Sequence, residues 1–142
     1  MARVDFYVLE RVDEQARLIL ACRLTEKAYR LKNTVYLHAK SRADAERLDE
    51  LLWTFRDGSF VPHALADDSD DAAASPVTIG CEAGPAKPRD LLINLCDAIP
   101  DFAADFPRVA EVVNKEPDCR RMSRERFVEY RNNGHTIQTH KI

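Results

Sequence analysis

The stretch PDCRRMSRERFVEYRNNG carries the most suggestive chemistry in the chain. On helical spacing Arg124, Phe127, Val128 and Arg131 fall at i, i+3, i+4 and i+7 and share one face. Two guanidiniums bracketing an apolar pair suit a short peptide with both a carboxylate and a hydrophobic side chain. The arginines would clamp the anion while Phe127 and Val128 floor a pocket. The same spacing also arises if Phe127 and Val128 face the core and the arginines snorkel to water. Spacing alone leaves both arrangements open.

The segment WTFRDGSFVPHAL is the second candidate. Trp53 lies roughly 80–100° off the stripe of Ala45, Leu48 and Leu52 at about 100° per helical residue. It should therefore flank the buried face. Phe60, Val61 and Pro62 follow Gly58 closely on an irregular stretch. A tryptophan and a phenylalanine on the flank of a domain are typical interface anchors, although both could equally close the bottom of the core.

Other chemistries lack their residues. Phosphate cradles need glycine where a strand opens into a helix. The four glycines (Gly58, Gly80, Gly84, Gly134) leave the end of the first strand to Glu10-Arg11-Val12-Asp13. Neither GxGxxG nor a Walker A pattern occurs. His38 and His63 read as polar surface or strand-end residues, and His135 and His140 read as opposite-facing positions of a strand. Cys22, Cys81, Cys96 and Cys119 form no CxxC and are expected as free thiols, with Cys22 a small core residue. The competing class is a small α/β nucleotide-binding domain or enzyme with an atypical site. No cofactor and no metal are expected.

The elements that position these residues alternate along the chain. Strands are expected at Val4 to Leu9, Thr34 to His38, Pro76 to Gly80, Asp90 to Leu95 and Arg108 to Asn114, with an edge strand from His135 to Lys141. Helices are expected from Glu14 to Arg30, from a Ser41 cap to about Trp53, and from Pro117 to about Arg131, with Gly134 ending the last. Pro62 keeps FVPHAL extended, and Pro100 to Phe106 reads as a short helix or turn. The pattern is that of one Rossmann-like α/β domain over 1–142, a mostly parallel sheet flanked by helices and lacking a nucleotide-binding glycine loop. The acidic run 67–75 is expected to be a mobile surface loop. At 142 residues, 45% apolar and 32% charged, the chain is of ordinary globular type. Its net charge of -3 offers no general attraction to phosphate backbones or anionic membranes. No run approaches the ~20 apolar residues of a membrane span. The N-terminus turns polar too soon for a signal peptide, so a cytoplasmic location is expected.

These segments together resemble the chi subunit family of bacterial DNA polymerase III. The likeness rests on the FYVL strand, Cys22 with Ala28-Tyr29-Arg30, and the run Ala45 to Trp53 (AERLDELLW). It continues through Ser59 to Leu65 (SFVPHAL), Pro88 to Leu95 (PRDLLINL), and Arg124-Glu125-Arg126-Phe127 with Tyr130-Arg131 and Gly134. The resemblance implies a non-catalytic clamp-loader accessory subunit, with the polymerase activity in another subunit. One surface would bind the psi subunit as a 1:1 heterodimer, and matched positions place it at Trp53, Phe60 and Pro62. The other would bind the C-terminal tail of single-stranded DNA-binding protein at Arg124, Phe127, Val128 and Arg131, with no direct nucleic-acid contact. The family pattern has tyrosine and lysine where Phe127 and Val128 stand. That departure implies weaker electrostatic binding of the tail, or a shift of the charge onto Arg120, Arg121 or Arg126.

Overall fold

A computed structural model describes residues 2–66, 74–81, 84–85 and 89–142. Seven strands form one sheet: β1 (Arg3–Val8), β2 (Val35–His38), β3 (Ala64–Leu65), β4 (Val77–Gly80), β5 (Leu91–Asn94), β6 (Arg108–Val113) and β7 (Thr136–Lys141). Their order is β3-β4-β2-β5-β6-β1-β7, and every described pairing is parallel. The sheet is thus wholly parallel where a mostly parallel one was expected. The expected acidic loop 67–75 lies outside the described residues except for its last two positions.

Among the described residues three helices flank the sheet: α1 (Glu14–Arg30), α2 (Arg42–Thr54) and α3 (Pro117–Asn132). Each begins where a side chain satisfies the open amides of the first turn. Asp13 accepts from the Ala16 amide at 3.3 Å and Ser41 from the Asp44 amide at 3.2 Å. Glu116 accepts from the amides of Asp118 and Cys119 at 3.1 and 2.8 Å, with Pro117 in the first turn. α3 ends at Asn133, and Gly134 turns the chain into β7 with φ 83°, a left-handed conformation open to glycine.

Two cores follow from the alternation of side chains along the strands. Val35, Leu37, Val77, Ile79, Ile93 and Val112 face α1 and α2, where Leu18, Cys22, Leu48 and Leu52 meet them. Val4, Phe6, Tyr36, Leu92, Val109 and Val113 point the other way, against Tyr130 and Phe127 of α3 and the 3-10 turn Asp101–Asp105. α2 and α3 therefore stand on opposite faces of one sheet. The first core also absorbs Cys22, whose thiol burial pushes up to about 12. His135 precedes β7, contrary to the expectation that it shares that strand, and its Nδ1 accepts from the Ala2 amide at 3.1 Å.

Candidate partner-binding faces

α3 is fixed to the sheet by a buried polar cluster. Glu111 of β6 is fully buried and accepts from Arg126 Nε at 3.0 Å, the Tyr130 hydroxyl at 2.6 Å and Asn94 Nδ2 at 2.9 Å. Arg126 also donates through Nη1 to the Asp97 carbonyl at 2.7 Å. Burial pushes the Glu111 carboxyl up, while the Arg126 charge and the three donors pull it back. The cluster is fully partnered, which a charge at this depth requires. Arg126, one of the alternatives raised by Val128, is only 4% exposed, and its guanidinium is engaged by Glu111 and the Asp97 carbonyl.

With Arg126 and Tyr130 turned inward, Arg124, Val128 and Arg131 are turned outward and all three are exposed. Phe127 is half-buried, its ring centroid 5.5 Å from that of Phe6. The candidate quartet therefore divides: Phe127 belongs partly to the core and Val128 stays on the surface. The side chains of Arg124 and Arg131 make no hydrogen bond or ion pair among the described residues. Their neighbours are engaged. Arg121 lies 3.7 and 3.6 Å from Asp118 and Glu125. Arg120 donates to the carbonyls of Asn114 and Leu9 at 3.3 and 3.2 Å. The edge strand β7 adds Ile137, packed into the same core as Phe127, and Thr139 two residues along on the same side.

The other candidate face lies at the end of α2. Trp53 and Phe60 are 49% and 71% exposed, with ring centroids 5.7 Å apart, and Pro62 is half-buried beside them. Trp53 flanks the buried stripe of Ala45, Leu48 and Leu52, as its angle on the helix predicts. His63 was expected at the surface, yet its side chain is buried. Its ring lies 4.4 Å from that of Trp53, with Nδ1 2.7 Å from the Val61 carbonyl oxygen and Nε2 2.9 Å from that of Asp49. His38 is buried as well, with Nδ1 unpartnered, and burial holds it below the usual imidazole range. The burial of His63 has no periodicity signal, because it sits in an irregular segment, whereas His38 closes β2 as the strand-end residue expected.

At the carboxyl ends of the strands, where open α/β sheets usually receive nucleotides, Arg17 occupies the crevice. It donates to the carbonyls of Val112 and Leu95 at 2.8 and 3.2 Å and to Glu14 at 2.7 Å. Glu14, Asp44, Asp97 and Glu116 line the same cavity together with Arg17, Lys40 and Arg126, so its lining is of mixed charge with the carboxylates in excess. Cys96, also on this wall, donates to the Ala39 carbonyl, and burial pushes its thiol up to about 11, away from the nucleophilic thiolate.

Fold and surface together define a parallel α/β scaffold that exposes arginines on α3 and an aromatic pair at the end of α2. A family model described as "DNA polymerase III chi subunit, HolC" matches residues 1–138. The chain belongs to the chi subunit family of DNA polymerase III, and is thereby a replication accessory subunit. It is 46% identical over 142 residues to the DNA polymerase III subunit chi of Pseudomonas aeruginosa, covering 100% of this chain and 98% of that protein. It is 33% identical over 144 residues to the subunit chi of Escherichia coli (98% and 97% covered) and 31% over 141 residues to that of Haemophilus influenzae (97% and 96%).

Proposed function

We propose that the chain is a non-catalytic adaptor that bridges the clamp loader to single-stranded DNA coated by its binding protein. Trp53, Phe60 and Pro62 engage the psi subunit in a 1:1 heterodimer. Arg124, Phe127, Val128 and Arg131 engage the C-terminal tail of single-stranded DNA-binding protein, with a terminal carboxylate between the arginines and the adjoining phenylalanine near Phe127. DNA is reached through its coating protein, in the cytoplasm, and polymerisation belongs to another subunit. The whole of 1–142 acts as a single domain.

The observation that carries this reading is the pair of exposed arginines without partners among the described residues, set on either side of an apolar surface. An anion that docks there breaks no existing ion pair, so its attraction is not offset by a lost one. Placement on opposite sides of the sheet lets both partners bind at once. Micromolar-range tail binding is expected, weakening as salt rises. Fluorescence anisotropy of a labelled tail peptide tests it: Arg124→Glu with Arg131→Glu should abolish binding while the circular dichroism spectrum is unchanged. Unchanged affinity in the double variant would sink the site, and a tail lacking its terminal phenylalanine serves as the control.

A further inference from the structure

Phe60 is more exposed than any other large apolar side chain described, yet it stands on a segment without regular structure between α2 and β3. A ring displayed on a free loop would pay ordering entropy on docking. This loop is held on both sides of the ring. Ser59 Oγ donates to Glu26 Oε2 on α1, and Arg56 Nη2 lies 2.7 Å from Glu26 Oε1. Arg30, one turn along α1, lies 3.7 Å from the same carboxylate. On the far side the His63 ring lies 4.4 Å from that of Trp53, with Nε2 2.9 Å from the Asp49 carbonyl oxygen, which seats the segment against α2. Gly58, with φ 77° and open space where a Cβ would go, makes the turn between Arg56 and Ser59 by its backbone conformation alone.

Glu26 is the informative member. It is only 7% exposed, and its partners are a loop serine and arginines from the loop and its own helix. Burying a carboxylate costs desolvation that packing alone would not require. The gain is a fixed loop conformation in which the Phe60 and Trp53 rings lie 5.7 Å apart.

We propose that Glu26 is a positioning residue for the Trp53–Phe60 face: by latching Ser59 and Arg56 to α1 it pre-forms the apolar pair that a partner grips. This rests on the reading that the face binds psi. Glu26 itself touches no partner and acts through Phe60. Its removal therefore matters to binding only while Phe60 is present.

A double-mutant cycle on the full chain, titrated calorimetrically against the psi subunit encoded by the same genome, separates the possibilities. Glu26→Gln, close in shape, should weaken binding about tenfold. In the Phe60→Ala background the same change should alter affinity by less than about twofold. Ser59→Ala should repeat the pattern at smaller size, and it guards against misfolding of the Glu26 variant. Equal losses in both backgrounds, or no loss from Glu26→Gln alone, overturn the positioning role. If Phe60→Ala binds psi as the parent does, the docking assignment itself falls and the positioning role with it.

Discussion

The two proposed binding faces present their groups to water by different means. On α3 the presented groups are charged and ride on a regular helix, and the helix is fixed from beneath by the Glu111–Arg126–Tyr130 cluster. At the end of α2 the presented groups are apolar and ride partly on a loop, which is fixed from the side by Glu26 and His63. Exposed charge costs a protein little until it is used, so a bare helix face can carry it. Exposed aromatic surface invites unwanted contacts, so it is confined to two rings packed together. In both places a buried, fully partnered polar group lies behind an exposed functional one.

This comparison can be broken most forcefully at the buried end. Glu111→Leu leaves the Arg126 guanidinium inside the sheet–helix layer without its carboxylate. Urea denaturation should show a loss of about 3–5 kcal/mol. A loss below about 1 kcal/mol would mean that water reaches the cluster and that α3 is anchored elsewhere. At the aromatic face, Trp53→Ala should weaken psi binding by about 2 kcal/mol or more, with little change in stability because half the ring is already in water. That binding should vary little with salt, whereas tail binding should fall, and similar salt slopes at both faces would erase the distinction drawn between them.

A smaller effect concerns pH. Burial lowers the His38 value in the folded chain, whereas the unfolded ring titrates near about 6.5. As pH falls through that value, the unfolded state takes the proton first. The stability that the neutral ring contributes above about 6.5 is then lost progressively toward the folded value, at no more than about 1.4 kcal/mol per pH unit. His38→Leu should flatten the dependence of the urea midpoint below about pH 6.5; an unchanged slope would assign it to other groups. Smallest of all, Val128→Lys restores a charge beside Arg124 and Arg131 and should tighten the tail complex by about 0.3–1 kcal/mol at low salt. No gain would show that the anion sits away from this turn of the helix.

The fold was legible because its elements announce themselves. TVYLH and DLLINL are short apolar runs of the kind buried on both faces of a parallel sheet, and they became β2 and β5. The helix starts expected at Glu14, after Ser41 and at Pro117 fall within a residue of those observed. The candidate faces were half legible. Helical spacing placed Arg124 and Arg131 correctly, and the angular offset placed Trp53. Spacing could not divide Phe127 from Val128, since both lie near the boundary of the buried arc. Partners distant in sequence were not legible at all. Glu111 interrupts the run RVAEVV, a visible anomaly in a strand buried on both sides, yet nothing local names Arg126 and Tyr130 as its partners. Glu26 and Ser59, 33 residues apart, pose the same difficulty. For His63, proximity to Pro62 suggested a surface position, whereas its ring lies against α2 beside the Asp49 carbonyl.

The central claim is that two separate faces hold two separate partners. It is tested most directly by a crossed binding experiment with the psi subunit and the tail peptide. Trp53→Ala and the Arg124→Glu, Arg131→Glu double variant are each titrated with both ligands at one salt concentration. Each variant should lose one ligand and keep the other at the parental affinity, and psi-saturated parent should bind the tail undiminished. Loss of both ligands by either variant, or competition between psi and the tail for the parent, would contradict it.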